Sequence, residues 1–142
     1  MHELSHCATV VCSVKAEAAY AYLADPANLG SWALGCLQAR QVSPDSVAGT
    51  SFFDGEESVV RVLGRPEQLT ADFVVSSDGE EAGPRISARV VPGPVVGRPA
   101  ETCLVTLLAW RTSAMSDARW AQLVAAHEVE VLALQQRIDA TA

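Results

Sequence analysis

From Cys36 to Trp110 the hydrophobic pattern repeats every second residue; from Ser116 to Asp139 it repeats every three or four. A chain that switches period in this way builds strands first and then adds one long helix, because side chains alternate faces along a strand and return to one face of a helix each turn. The terminal stripe of Trp120, Leu123, Val124, His127, Val131, Leu134 and Ile138 is continuous over the whole segment. Such a stripe needs an apolar partner, and the only large apolar surface upstream is the inner face of the strands. Glu128, Glu130, Gln135, Gln136 and Arg137 fall mostly off the stripe and are expected to face water.

The period-two region divides at turn residues. CLQARQV (Cys36 to Val42) ends at SPDS, TSFF (Thr50 to Phe53) at Asp54-Gly55, and ESVVRVLG (Glu57 to Gly64) at Arg65-Pro66. LTADFVVSS (Leu69 to Ser77), PRISARVV (Pro84 to Val91) and TCLVTLLAW (Thr102 to Trp110) follow, and the last, being the most apolar, is expected to be central. Before them, HCATVVCS (His6 to Ser13) is a β-branched strand. KAEAAYAYLA (Lys15 to Ala24) is a short amphipathic helix with Ala16, Ala19, Tyr20 and Leu23 on one face, and Tyr22 lies off that face. Asp25-Pro26 then opens a second short helix, PANLGSW, that ends at Trp32, since an acidic N-cap followed by proline is a start signal. One strand, two short helices, about six antiparallel strands and one long helix make an α+β fold.

A chain of 142 residues without repeat or linker is one domain, residues 1–142, large enough to bury its own core. The net charge of −7 argues against nucleic acid and anionic lipid as partners. No stretch reaches the roughly 18 apolar residues of a membrane helix, so no membrane insertion is expected. The start of the chain lacks a secretory pattern, and Cys7, Cys12, Cys36 and Cys103 show no C-x-x-C pairing, which suits a cytoplasmic, thiol-bearing protein. Neither GxxxxGK[ST] nor GxGxxG occurs, and no cofactor is expected. HELSH, residues 2–6, fits the H-E-x-x-H zinc pattern. That chemistry needs two histidines on one helical face, whereas these residues lead straight into a strand, and no metal is expected.

The stretch VKAEAAYAYLADPANLGSW (Val14 to Trp32), followed by this order of elements and the terminal stripe, resembles the SRPBCC superfamily of START and Bet v 1-like proteins. The resemblance covers nearly the whole chain. It implies a helix-grip fold, in which a curved antiparallel sheet wraps a long C-terminal helix and two short helices follow the first strand. It also implies a small hydrophobic or aromatic ligand held in an internal cavity between sheet and helix. The alternative it implies is a polyketide cyclase, aromatase or dehydratase working in the same cavity; an interaction module is a third reading. The resemblance carries over no shared catalytic motif. Whether the chain is a monomer or a homodimer is left open.

On this reading the ligand-binding candidates are Trp32, Phe73, Trp120, Leu123, Val124, His127 and Val131, with His127 and Arg61 as candidates for chemistry. His127 is the sole titratable member of the stripe and either meets a ligand or is a core histidine satisfied by a strand side chain or by water. Arg61 and Arg89 interrupt apolar strands; an inward guanidinium would receive a planar anion, and an outward one is solvated. Glu57 shares a face with Arg61. Trp110 is expected in the core, as are Cys36 and Cys103.

Overall fold

The computed structural model describes residues 3–77, 80, 81 and 83–142, and places them in one antiparallel sheet gripping one long helix. The strands are β1 (Ser5–Cys12), β2 (Leu37–Ser43), β3 (Ser46–Thr50), β4 (Glu57–Arg65), β5 (Thr70–Ser77), the two-residue β6 (Glu80–Glu81), β7 (Ile86–Pro92) and β8 (Cys103–Trp110). They are ordered β1-β8-β7-β5-β4-β3-β2, with β6 paired to β5. β8 is therefore interior but only one strand from the edge, and β5 holds the central place. The apolar pattern of β8 reflects the helix packed on it rather than a central position.

Helix α1 (Ala16–Leu23) buries Ala16, Ala19, Tyr20 and Leu23, the face that the sequence marks out. It stops before the Asp25-Pro26 pair, where the Asp25 carboxylate accepts a hydrogen bond from the Ala27 N–H at 3.0 Å. Pro26–Ser31 that follows is a 3-10 turn, and it delivers Trp32 and Ala33 to the interior. Helix α2 (Asp117–Asp139) is capped by Ser116, whose hydroxyl accepts from the Arg119 N–H at 3.1 Å. Leu134 and Ile138 are wholly buried, each contributing about 1.5–3 kcal/mol by leaving water. α2 lies mainly on β1 and β8, and Gln135 clasps β1 by donating to the Val11 carbonyl at 2.7 Å. The helix thus leans towards one edge of the sheet, and a hollow stays open between it and β4–β5.

Three further expectations change. TSFF is not a strand: β3 is SVAGT, and Phe52 and Phe53 sit in a turn, with the Phe52 N–H donating to the Leu34 carbonyl. The turn residues SPDS hold fewer positions than their composition suggests, since Ser46 already belongs to β3. Gly49 permits the pairing with β2: a Cβ there would meet the Leu37 carbonyl at 2.7 Å and Cys36 Sγ at 2.8 Å. Trp110 is 45% exposed rather than in the core, because it lies past the last inward-facing residue of β8, Ala109.

Candidate functional site

The hollow is a cavity of about 230 Å³. Its apolar wall comes from β4 and β5 (Val60, Phe73, Val75), from Ile86 of β7, from Leu123 of α2 and from Trp32 after the 3-10 turn. Trp32 and Phe73 meet edge to face, 5.5 Å between ring centroids. Both are nearly inaccessible, so they form a rigid aromatic floor.

Four polar groups project into this apolar setting: Arg85 at the start of β7, and Arg119, His127 and Glu130 of α2. Burial drives the His127 imidazole down to about 4, with the charges of His6 and Arg85 adding to the effect. Burial drives the Glu130 carboxyl up to about 7, although the Leu34 N–H donating to it at 2.9 Å opposes the rise. His127 Nε2 lies 3.9 Å from Glu130 Oε1. That is too far for a hydrogen bond, and burial favours the neutral form of each partner, so this is not an ion pair. Arg119 lays its guanidinium over the Phe53 ring, 4.0 Å from the centroid. At the rim stand the exposed carboxylates Asp54, Glu56 and Glu57, the last paired with Arg40 at 3.1 Å.

Buried polar atoms ordinarily have partners. Among the described residues, the buried side-chain nitrogens and oxygens with no hydrogen-bond partner are Trp32 Nε1, Arg85 Nη1, Arg119 Nη1 and His127 Nδ1. All four belong to residues that line this cavity. His127 is thus not a core histidine satisfied at both nitrogens by the protein.

Of the residues that the sequence singles out, the cavity brings together Trp32, Phe73, Leu123 and His127. Trp120, Val124 and Val131 are placed elsewhere. Trp120 and Val124 pack with Ala109, and Val131 joins the main core. Arg61 is on the opposite face of β4 from Val60, and its charge adds to the hydrogen bonds from Ser43 and Ser46 that hold the Asp45 carboxyl below its usual range. Its strand alternates strictly, so an inward Val60 and Val62 force Arg61 outward. Arg89 is exposed for the same reason, between buried Ala88 and Val90.

Sequence reasoning missed Glu130, Arg85 and Arg119. Glu130 lies three residues after His127 and seven after Leu123, a spacing that puts it on the inward face; its charge alone argued for water. Arg85 directly precedes β7 and Arg119 stands in the first turn of α2, and no periodicity marks such end positions. Of the HELSH segment, His2 lies outside the described residues, Glu3 lies on non-helical chain just before β1, and His6 lies within β1, so the described part is not a helical turn. His6 Nε2 instead lies 3.0 Å from Glu128 Oε1 of α2. Among the described residues no group of three or more His, Cys, Asp or Glu could hold a metal, and no helix is long and apolar enough to cross a membrane.

No protein-family profile matches the chain, and no curated protein matches it in sequence. Solved structures do match it in shape. The protein XoxI from Bacillus cereus superposes with a TM-score of 0.69 at 13% identity, covering 96% of each chain. A START superfamily protein from Mycobacterium smegmatis gives 0.66 at 13%, covering 99% of this chain and 100% of that one. BexL, a di-domain ARO/CYC protein of the BE-7585A biosynthetic pathway, gives 0.64 at 18%, covering 98% of this chain and 47% of that one. The gripped helix and its hollow are therefore a helix-grip fold, shared in shape with the START superfamily protein and with BexL. At these identities the likeness establishes the fold, and the chemistry of the site has to be argued from its own residues.

Proposed function

We propose that this protein binds a small hydrophobic or aromatic molecule bearing oxygen acceptors, in the cavity between the sheet and α2. The observation that carries this reading is that every unpartnered buried side-chain nitrogen or oxygen among the described residues belongs to a residue lining this one largely apolar cavity. Trp32 Nε1 and the two arginine nitrogens are donors only, so a molecule that satisfies them presents acceptors. The volume limits its size: about 230 Å³ is below the roughly 300–1,000 Å³ of pockets for drug-sized ligands. One or two fused rings fit that limit better than a long folded chain.

Native mass spectrometry of the protein purified from its own host tests the reading. A small molecule retained by the wild type and lost from Leu123→Trp, which fills the cavity, is the expected result. Equal retention by both variants would place the binding elsewhere and reject the proposal.

A second reading, proton-transfer chemistry of the cyclase, aromatase or dehydratase kind, is favoured by the adjacency of His127 and Glu130 at 3.9 Å. Near neutral pH this neighbourhood holds a neutral imidazole able to accept a proton and a carboxyl partly able to give one. Conversion of the retained molecule's precursor by the wild type, with Glu130→Gln still binding but not converting it, would favour this reading. Binding without conversion by the wild type would favour carriage.

A further inference from the structure

We propose that Arg85 and Arg119 form an acid-recognition subsite, so that the molecule taken by the cavity is an aromatic or hydrophobic acid carrying a carboxylate or an acidic phenol. This rests on the ligand-binding reading above and specifies the chemistry of its ligand.

Both guanidinium groups line the cavity, both are half-buried, and each has a buried Nη1 with no partner. They lie near enough for their charges to repel one another. Neither makes a salt bridge among the described residues, although Arg119 is held over the Phe53 ring and the charge of Asp54 favours its protonated form. Arg119 stands in the first turn of α2, where the helix dipole disfavours a cation. The one carboxylate of that turn, Asp117, is occupied at 2.6 Å by Arg111. Arg85 has no salt-bridge partner among the described residues.

Two like charges held together in a partly desolvated wall lose free energy that an anion between them restores. Guanidinium forks suit carboxylates and phenolates in particular. The rim acids Asp54, Glu56 and Glu57 oppose this in part, but all three are exposed, where water and salt screen them. Asp54 also accepts from the Glu56 N–H at 2.9 Å, and Glu57 is paired with Arg40. The aromatic floor of Trp32 and Phe73 supplies the other half of the specificity by taking a ring.

The test compares two probes of one shape, 1-naphthoate and 1-naphthalenemethanol, by isothermal titration against wild type, Arg85→Gln and Arg119→Gln, with each variant's fold checked by thermal melting. Tighter binding of the acid than of the alcohol is expected, with each substitution weakening the acid at least tenfold and the alcohol less than threefold. Raising the salt concentration should weaken only the acid. Arg85→Gln should not lower the melting temperature, because it loses no hydrogen bond or salt bridge to the described residues, whereas Arg119→Gln should lower it slightly by losing the contact with the Phe53 ring. Alcohol and acid bound equally well, or acid binding indifferent to both substitutions, would overturn the subsite while leaving the ligand-binding reading intact. Failure of both probes to bind the wild type would overturn the subsite together with the reading beneath it.

Discussion

Replacing Glu130 with glutamine removes one ionisation from the cavity while keeping the size of the side chain and an acceptor for the Leu34 N–H. Glu130 is 7% exposed, and burial raises its carboxyl from 4.5 to about 7. A carboxyl whose folded value is raised stabilises the fold fully below its unfolded value, and that contribution is lost as pH rises through the folded one. At about 1.4 kcal/mol per unit, the wild type gives up about 3 kcal/mol between pH 4.5 and the region above pH 7. Glu130→Gln gives up none of it. Urea unfolding at intervals from pH 4.5 to 9 should therefore show the two proteins nearly equal at the acid end. The variant should become more stable by about 3 kcal/mol at pH 8.5, most of the divergence falling below pH 7.5. A constant difference across the range would refute the buried carboxyl. A variant less stable at every pH would show that the wild-type carboxylate is compensated by an interaction the geometry does not contain.

His127 has the opposite sign. Its folded value is depressed from 6.5 to about 4, so the wild type loses about 3 kcal/mol as pH falls between those values. His127→Leu should abolish that acid limb and leave stability at pH 7.5 equal or higher, because Nδ1 has no hydrogen bond to lose; pH-dependent unfolding of the variant checks both. Of the thiols, Cys7 is exposed while Cys12, Cys36 and Cys103 are buried, the Cys12 thiol pushed up to about 12. An aromatic disulfide reagent should titrate one fast thiol in the native protein, and Cys7→Ser should remove it. Gly49→Ala should cost about 1–3 kcal/mol by overpacking against the Leu37 carbonyl, measured as a lower urea midpoint.

The fold was legible because each element carries its own local signal. Asp25 caps the turn it was expected to cap, and the alternation in β4 and β8 sorts inward from outward residues without tertiary information. The short loops were harder. Phe52 and Phe53 have the composition of a strand, yet the tight β2–β3 hairpin uses SVAGT first and leaves them in the turn, where Phe53 becomes the shelf for Arg119.

Half of the site was legible and half was not, for a physical reason. Trp32, Phe73, Leu123 and His127 follow from periodicity and element ends. Glu130, Arg85 and Arg119 break the rule that charges avoid the interior, so a reading built on that rule assigns them to solvent. Such violations gather where a site holds groups for a ligand rather than for the fold. Conversely Trp120, Val124 and Val131 share the stripe with His127 but meet β1 and β8 or the core. A helix face does not reveal where along it the packing opens, and here the tilt of α2 towards one edge of the sheet decides that.

The central claim, that the cavity beneath α2 takes an aromatic ligand on its donor-lined wall, is tested most directly by the indole N–H resonances of the three tryptophans in a ¹⁵N-labelled sample. During titration with 1-naphthoate, the Trp32 resonance should move furthest and saturate, because Trp32 lines the cavity and its buried Nε1 has no partner. Trp120 should move less and Trp110, exposed at the end of β8, not at all. A saturating titration that shifts Trp110 and leaves Trp32 unmoved would contradict the account, since the ligand would then be bound outside the grip.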